Sequence, residues 1–227
     1  MIRWILLDSA KVPFGEGELR LLQRGAEFSI RLGREELMNS RVHGSEEALA
    51  KISCARIAAV SRPRLLIGGL GMGFTLRTAL NLLGVDAELM VAELVPAIVA
   101  WNRGPLAGIS GDSLADSRVR ILEADVGQLI RSERSAYDAV LLDVDNGPKA
   151  LTRKANDRLY DSSGLNAAKA ALRPGGILAV WSAGPDEDFS RRLHDTGFTV
   201  EEIRARPHGT RGGARHVIWI ASAVSAG

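Results

Sequence analysis

The chain has 227 residues, enough for one large domain or one domain with a small appendage. Hydrophobic residues at 46% and charged residues at 25% fit a globular protein and exclude a disordered one. A formal net charge of +2 gives no basis for a nucleic-acid partner, and a single cysteine excludes an intrachain disulfide framework or a cysteine zinc site.

In chain order, the apolar patch Trp4 to Leu7 stops at Asp8, too short for a signal peptide or a bilayer span. No other run reaches membrane length, so no membrane partner and a cytoplasmic location are expected. Residues 18–23, 27–32 and 36–38 read as short antiparallel strands parted by Arg24-Gly25-Ala26 and Gly33-Arg34. They make a small β appendage over residues 1–44. Ser45 stands where it can cap a helix carrying Glu46 and Glu47 in its first turn, and this helix ends before Pro63. Cys54 lies within it and reads as a small buried hydrophobe.

From residue 64 the pattern changes. Apolar runs at 64–67, 88–92, 119–122, 139–142, 177–181, 199–203 and 216–221 read as seven strands. Helices are predicted over 74–83, 96–103, 126–131, 166–172 and 186–196, with Pro96 suited to a first turn. Alternation of this kind implies a doubly wound, mostly parallel α/β sheet of the Rossmann-like type over residues 45–227. Only a Pro-, Gly- and Arg-rich stretch separates the last two strands, so the final strand should run antiparallel. That stretch, 206–215, reads as a solvated hairpin tip, with a clamp for an acidic acceptor as the minority reading. The strand order should reverse at the first parallel strand, which places ligands at the carboxyl ends.

The strongest local signal is Leu65-Leu66-Ile67-Gly68-Gly69-Leu70-Gly71-Met72-Gly73-Phe74. A glycine-rich turn between strand and helix lets the backbone approach a ligand closely. Gly69, Gly71 and Gly73 follow G-x-G-x-G, whereas a dinucleotide fingerprint needs glycine where Phe74 stands. A nucleoside without phosphates therefore fits better than NAD, and no ATP-binding P-loop pattern is present. Glu93 ends the second parallel strand, where a carboxylate can accept both ribose hydroxyls. Ala124-Asp125 follows the third strand and can meet the adenine edge, though Asp125 equally suits a helix N-cap. Asp143 ends the fourth strand above the crevice where reacting groups belong. Trp181 and Tyr160 each suit either an acceptor wall or core packing, and His43 and His216 lack any metal-ligand spacing, so no metal is expected.

Taken in order, these motifs resemble the class I AdoMet-dependent methyltransferase fold, and within it the spermidine synthase branch. The narrower likeness rests on Asp143-Val144-Asp145-Asn146-Gly147-Pro148 and on Leu159-Tyr160, similar to the polyamine synthase loop that closes over the amine acceptor. The resemblance implies S-adenosylmethionine or its decarboxylated form as cofactor, a small-molecule acceptor and a homodimer. It also implies Asp143 as the acid that helps deprotonate the attacking nitrogen, with Asp145 as a second amine contact. Two features depart from the pattern: Gly71 stands where polyamine synthases carry an aspartate for the donor amine, and their Tyr-His-Glu stretch is not reproduced. The expected function is therefore methyl transfer from AdoMet to a small molecule, with an amine as the expected acceptor. The alternatives are aminopropyl transfer from decarboxylated AdoMet and a degenerate AdoMet-binding protein without turnover.

Overall fold

The computed structural model describes residues 2–13, 17–144, 148, 158–205 and 216–223. A four-stranded antiparallel sheet comes first: β1 (Ile5–Lys11), β2 (Glu18–Arg24), β3 (Glu27–Leu32) and β4 (Glu35–Asn39), paired in that order. β1 went unread in the sequence. Its side chains are mostly exposed, so no buried alternation marks it.

Helix α1 (Gly44–Arg56) leads into the second sheet, built from β5 (Arg64–Gly68), β6 (Glu88–Glu93), β7 (Val119–Glu123), β8 (Tyr137–Leu142), β9 (Leu172–Ser182), β10 (Phe198–Ala205) and β11 (His216–Ala223). Their order is β10-β11-β9-β8-β5-β6-β7. β5 pairs in parallel with both β6 and β8, so the sheet winds outward from β5 in two directions. β11 runs antiparallel to β9 and β10, the expected exception. The connections carry α2 (Phe74–Leu82), α3 (Pro96–Arg103), α4 (Ala107–Ser110), α5 (Val126–Ser132), α6 (Ser162–Ala171) and α7 (Glu187–Asp195). The fold is Rossmann-like and doubly wound, with the small N-terminal sheet added.

Two apolar clusters form the core. One joins the N-terminal sheet, α1, α2 and α3 to one face of the large sheet, around Leu21, Ile30, Leu49, Leu65 and Trp101. The other covers the opposite face, where Tyr160, Leu165, Phe189 and Trp219 pack. β5 and β8 are buried on both faces, which is why they read as unbroken apolar runs rather than alternating ones. At the opposite end of the sheet from the glycine loop, Asp138 accepts from the Arg64 amide and from Arg173, both at 2.8 Å, fastening the starts of β5, β8 and β9.

Two local expectations change. Ser45 does not cap α1: His43 occupies that position without a side-chain cap, and the Ser45 hydroxyl donates to Glu46 instead. β9 begins at Leu172, earlier than 177, because Tyr137 pairs with Leu172 before an irregularity in register over the Pro-Gly-Gly turn.

Candidate active site

The glycine loop leaves β5 at the carboxyl edge of the sheet, at the reversal of strand order. Gly69 has φ +87°, and a Cβ there would lie 2.4 Å from the Asp143 carbonyl oxygen. No other residue fits without moving β8 away from β5. Gly71 has φ +52°, and its Cβ would lie 3.2 Å from the Met38 sulfur, which brings β4 directly over the loop. Gly69 and Gly71 line a cavity of about 240 Å³. Gly68 and Gly73 serve packing: a Cβ at either would press on Val126 and Leu142, or on Ser110.

Glu93 ends β6 and also lines the cavity, though only 6% of its surface is exposed. Its two carboxylate oxygens accept from the Leu70 amide at 2.9 Å and the Val95 amide at 2.8 Å. Burial raises its pKa while these backbone donors pull it back. Glu93 thus locks the glycine loop to the start of α3, with lone pairs left on each oxygen for further donors. Across the same rim, Ala124 and Asp125 line the cavity. Asp125 accepts from the Gln128 amide at 3.1 Å, so it caps α5.

Deeper in the cavity stands Asp143, reached from two helices. Thr75, in the first turn of α2, donates to Asp143 Oδ2 at 2.8 Å and also reaches the Glu46 carbonyl oxygen at 3.3 Å. The Glu46 side chain, from the first turn of α1, lines the same cavity. Asp143 is half-buried against the cavity, and desolvation there, with the Glu46 charge nearby, raises its pKa to about 7. Burial raises Glu46 as well. Behind Glu46, Ser45 Oγ donates to Glu46 Oε2 at 2.6 Å and lies 2.8 Å from His216 Nδ1. Ser45 Oγ thus bridges Glu46 and His216. His216 in turn meets the ring of Trp181 edge-on at 4.8 Å, and Trp181 forms part of the cavity wall.

The residues singled out from sequence therefore divide. Gly69, Gly71, Glu93, Ala124, Asp125, Asp143 and Trp181 surround one cavity. Tyr160 does not: it is 2% exposed, edge-on to Phe189 at 5.6 Å, and belongs to the core on the opposite face of the sheet. Its sequence position after the acidic loop gave no sign of which face it would take. Asp145 lies outside the described residues, as does the stretch 206–215. His216, read as structural, has a specific partner in Ser45, and His43 stacks on Phe74 at 4.2 Å with Nδ1 3.0 Å from Glu47. Sequence reasoning missed Glu46, Thr75 and Met38 as parts of the site. Glu46 looked like an ordinary first-turn acid, and only the docking of α1 against α2 turns it inward.

Among the described residues that line the cavity there are four carboxylates and no lysine, arginine or histidine. Such a cavity favours cationic guests. No group of three or more His, Cys, Asp or Glu among the described residues could hold a metal, and no helix among them is long and apolar enough to cross a membrane.

No family model matches the chain. It is 33% identical over 123 residues to polyamine aminopropyltransferase 1 of Streptomyces coelicolor, a match covering 53% of this chain and 22% of that protein. The chain thus spans about a fifth of the length of that curated relative. Among solved structures it is similar to a spermidine synthase in complex with the transition-state analogue AdoDATO, with a TM-score of 0.75 and 16% identity over 96% of this chain and 72% of that one. It is also similar to the CurJ carbon methyltransferase, with a TM-score of 0.54 and 16% identity over 79% of this chain and 54% of that one. The chain has the class I AdoMet-dependent methyltransferase fold, in the form seen in spermidine synthases, with the four-stranded sheet placed before the Rossmann-like one.

Proposed function

We propose that this protein is an AdoMet-type transferase that takes decarboxylated S-adenosylmethionine and passes its aminopropyl group to a small amine. One observation carries the choice of donor: the described walls of the cavity offer four carboxylates and no basic side chain. A donor bearing an α-carboxylate would meet only like charge there, whereas a donor ending in an ammonium finds counter-charges. The curated relative named as a polyamine aminopropyltransferase supports the same donor.

In this reading Glu93 accepts the ribose hydroxyls through its remaining lone pairs, Ala124 and Asp125 face the adenine, and Gly69 and Gly71 let the backbone come close to the sulfonium. Bound there, the donor supplies a carbon already activated by a positively charged sulfur. The protein's own part is positioning and proton removal. An alkylammonium, with a pKa of roughly 10 like that of lysine, has no lone pair to attack with. Asp143 draws the acceptor ammonium in, takes one proton and leaves the amine lone pair aimed at the carbon. A carboxyl with a pKa of about 7 is better matched to that task than an ordinary aspartate. As the N–C bond forms the C–S bond breaks, its electron pair leaving with the thioether.

Methyl transfer from AdoMet is the second reading, and Gly71 favours it, because the loop has no carboxylate at that position to hold a donor ammonium. Calorimetry with decarboxylated AdoMet, AdoMet and NAD separates the cases, followed by mass spectrometry of an amine panel. The expected result is at least tenfold preference for the decarboxylated donor and amines heavier by one aminopropyl unit. A preference for AdoMet with methylated products would install the second reading, and tight NAD binding alone would remove both.

A further inference from the structure

The glycine loop is held from behind as well as from the cavity side. Its tight turn is closed by the Gly73 amide, which donates to the Leu70 carbonyl at 2.8 Å. That bond does not involve the turn's central peptide, Gly71–Met72, and a glycine at φ +52° gives this peptide little stiffness of its own. Asn102, in the last turn of α3, supplies the hold: its Nδ2 donates to the Gly71 carbonyl at 2.8 Å and to the Ile98 carbonyl at 2.9 Å. Because the peptide is trans and planar, holding that carbonyl also fixes the Met72 N–H on its opposite edge.

Several features set Asn102 apart from an ordinary helix residue. Both partners of Nδ2 are carbonyl oxygens, so the amide has one orientation: flipped, it would set oxygen against oxygen. The side chain is 1% exposed, and Oδ1 has no hydrogen-bond partner among the described residues. A buried acceptor left unsatisfied lowers stability, a cost that packing alone does not explain. Oδ1 faces Gly73, where a Cβ would lie 3.1 Å from it. Asn102 thus stands against two of the three glycines of the G-x-G-x-G run. The helix that presents it is pinned at both ends: Glu93 accepts from the Val95 amide at 2.8 Å, and the buried Trp101 donates to Asp8 at 2.7 Å.

We infer that Asn102 is a positioning residue of the nucleoside site: it fixes the central peptide of the glycine loop in the shape that receives the ligand, from a place behind the loop. This inference rests on the nucleoside site of the function proposed above and adds to it a residue that does not line the cavity. No covalent step is involved. A loop already held in its bound shape has no ordering cost left to meet at binding, so nucleoside affinity depends on a side chain the nucleoside does not touch.

The test uses Asn102→Leu, which keeps the size of the side chain and removes its donor, and Asn102→Asp, which keeps its shape and sets a carboxylate against two carbonyls. Binding of 5′-methylthioadenosine is measured by calorimetry on the intact protein, and amide exchange at Gly73 with and without it. Both variants should bind about tenfold more weakly than the wild type, the worth of one hydrogen bond. Without ligand, exchange at Gly73 should accelerate about tenfold for the same reason, while amides of α5, on the opposite face of the sheet, keep their rates. Saturating ligand should restore Gly73 protection, which a general loss of stability would not allow. Asn102→Leu carries the comparison alone if the buried carboxylate prevents folding. Unchanged affinity or unchanged Gly73 exchange in Asn102→Leu overturns the inference, even where Tm has fallen. If the wild type itself does not bind 5′-methylthioadenosine, the proposed function falls, and Gly73 exchange in the ligand-free protein alone decides whether Asn102 holds the loop.

Discussion

A carboxyl placed like Asp143 keeps its proton well into the neutral range, and this has consequences for stability as well as chemistry. Its folded pKa, about 7, lies above the ordinary 3.8. The native state therefore binds more protons than the unfolded chain between those values, and stability is lost as pH rises through about 7. At roughly 1.4 kcal/mol per pKa unit the loss is at most about 4 kcal/mol, an upper bound because one side of the carboxyl opens on the cavity. Glu46, also raised, acts with the same sign. Thermal melts should show the wild type losing Tm from pH 5 to pH 8, while Asp143→Asn flattens the curve and melts higher at pH 8. A variant curve parallel to the wild type would mean Asp143 is ionised throughout. Amine affinity has the opposite slope, since only the carboxylate attracts an ammonium: it should climb between pH 6 and pH 8. Gly71 invites a converse experiment. Gly71→Asp combined with Met38→Ala clears the sulfur that a Cβ would meet, and should raise affinity for decarboxylated AdoMet about tenfold, the worth of one charge-assisted hydrogen bond. Unchanged affinity would show that the donor ammonium lies elsewhere.

At the scale of elements, legibility followed burial. β5, β6, β8 and the core of β9 are covered on both faces and appear in the sequence as apolar runs, and the G-x-G-x-G spacing announced the loop after β5. β1 was invisible because it is an edge strand with Ile5, Leu6 and Leu7 exposed, so neither alternation nor a buried run identifies it. Glu46 was illegible for another reason. Its position in α1 predicts a favourable helix dipole interaction, but not that α1 packs on α2 with the carboxyl turned into the cavity. Partnerships between distant residues leave no local trace. Asp8 is such a case: it accepts from the buried Trp101 indole at 2.7 Å, tying β1 to α3. Asp8→Ala should lower stability by about 1 kcal/mol, a few degrees of Tm at this chain length. Hydrogen exchange should show β1 amides losing protection before those of β2. Unaltered β1 protection would mean the strand is held by its pairing with β2 alone.

At the scale of the molecule, the cavity is a seam. One wall comes from the N-terminal sheet, the other from the carboxyl ends of β5, β6, β7 and β8, and the apolar cluster runs continuously between them. A nucleoside in that seam would touch the glycine loop and β4 at once, since Met38 lies against Gly71. Binding there should therefore stabilise the two sheets jointly. A ligand at one hundred times its Kd adds about 2.7 kcal/mol to the native state, worth roughly 5 to 10 °C for a chain of this size. With 5′-methylthioadenosine at that level, a single sharpened melt should move up by that amount. Amides of the glycine loop, β4 and the start of α3 should gain exchange protection together. Glu93→Gln keeps the shape of the side chain but removes the charge, so at the same ligand concentration it should forfeit most of the shift. Protection confined to α5, α6 and α7, on the opposite face of the sheet, would place the nucleoside outside the seam and leave the carboxylate-lined cavity without the role assigned to it.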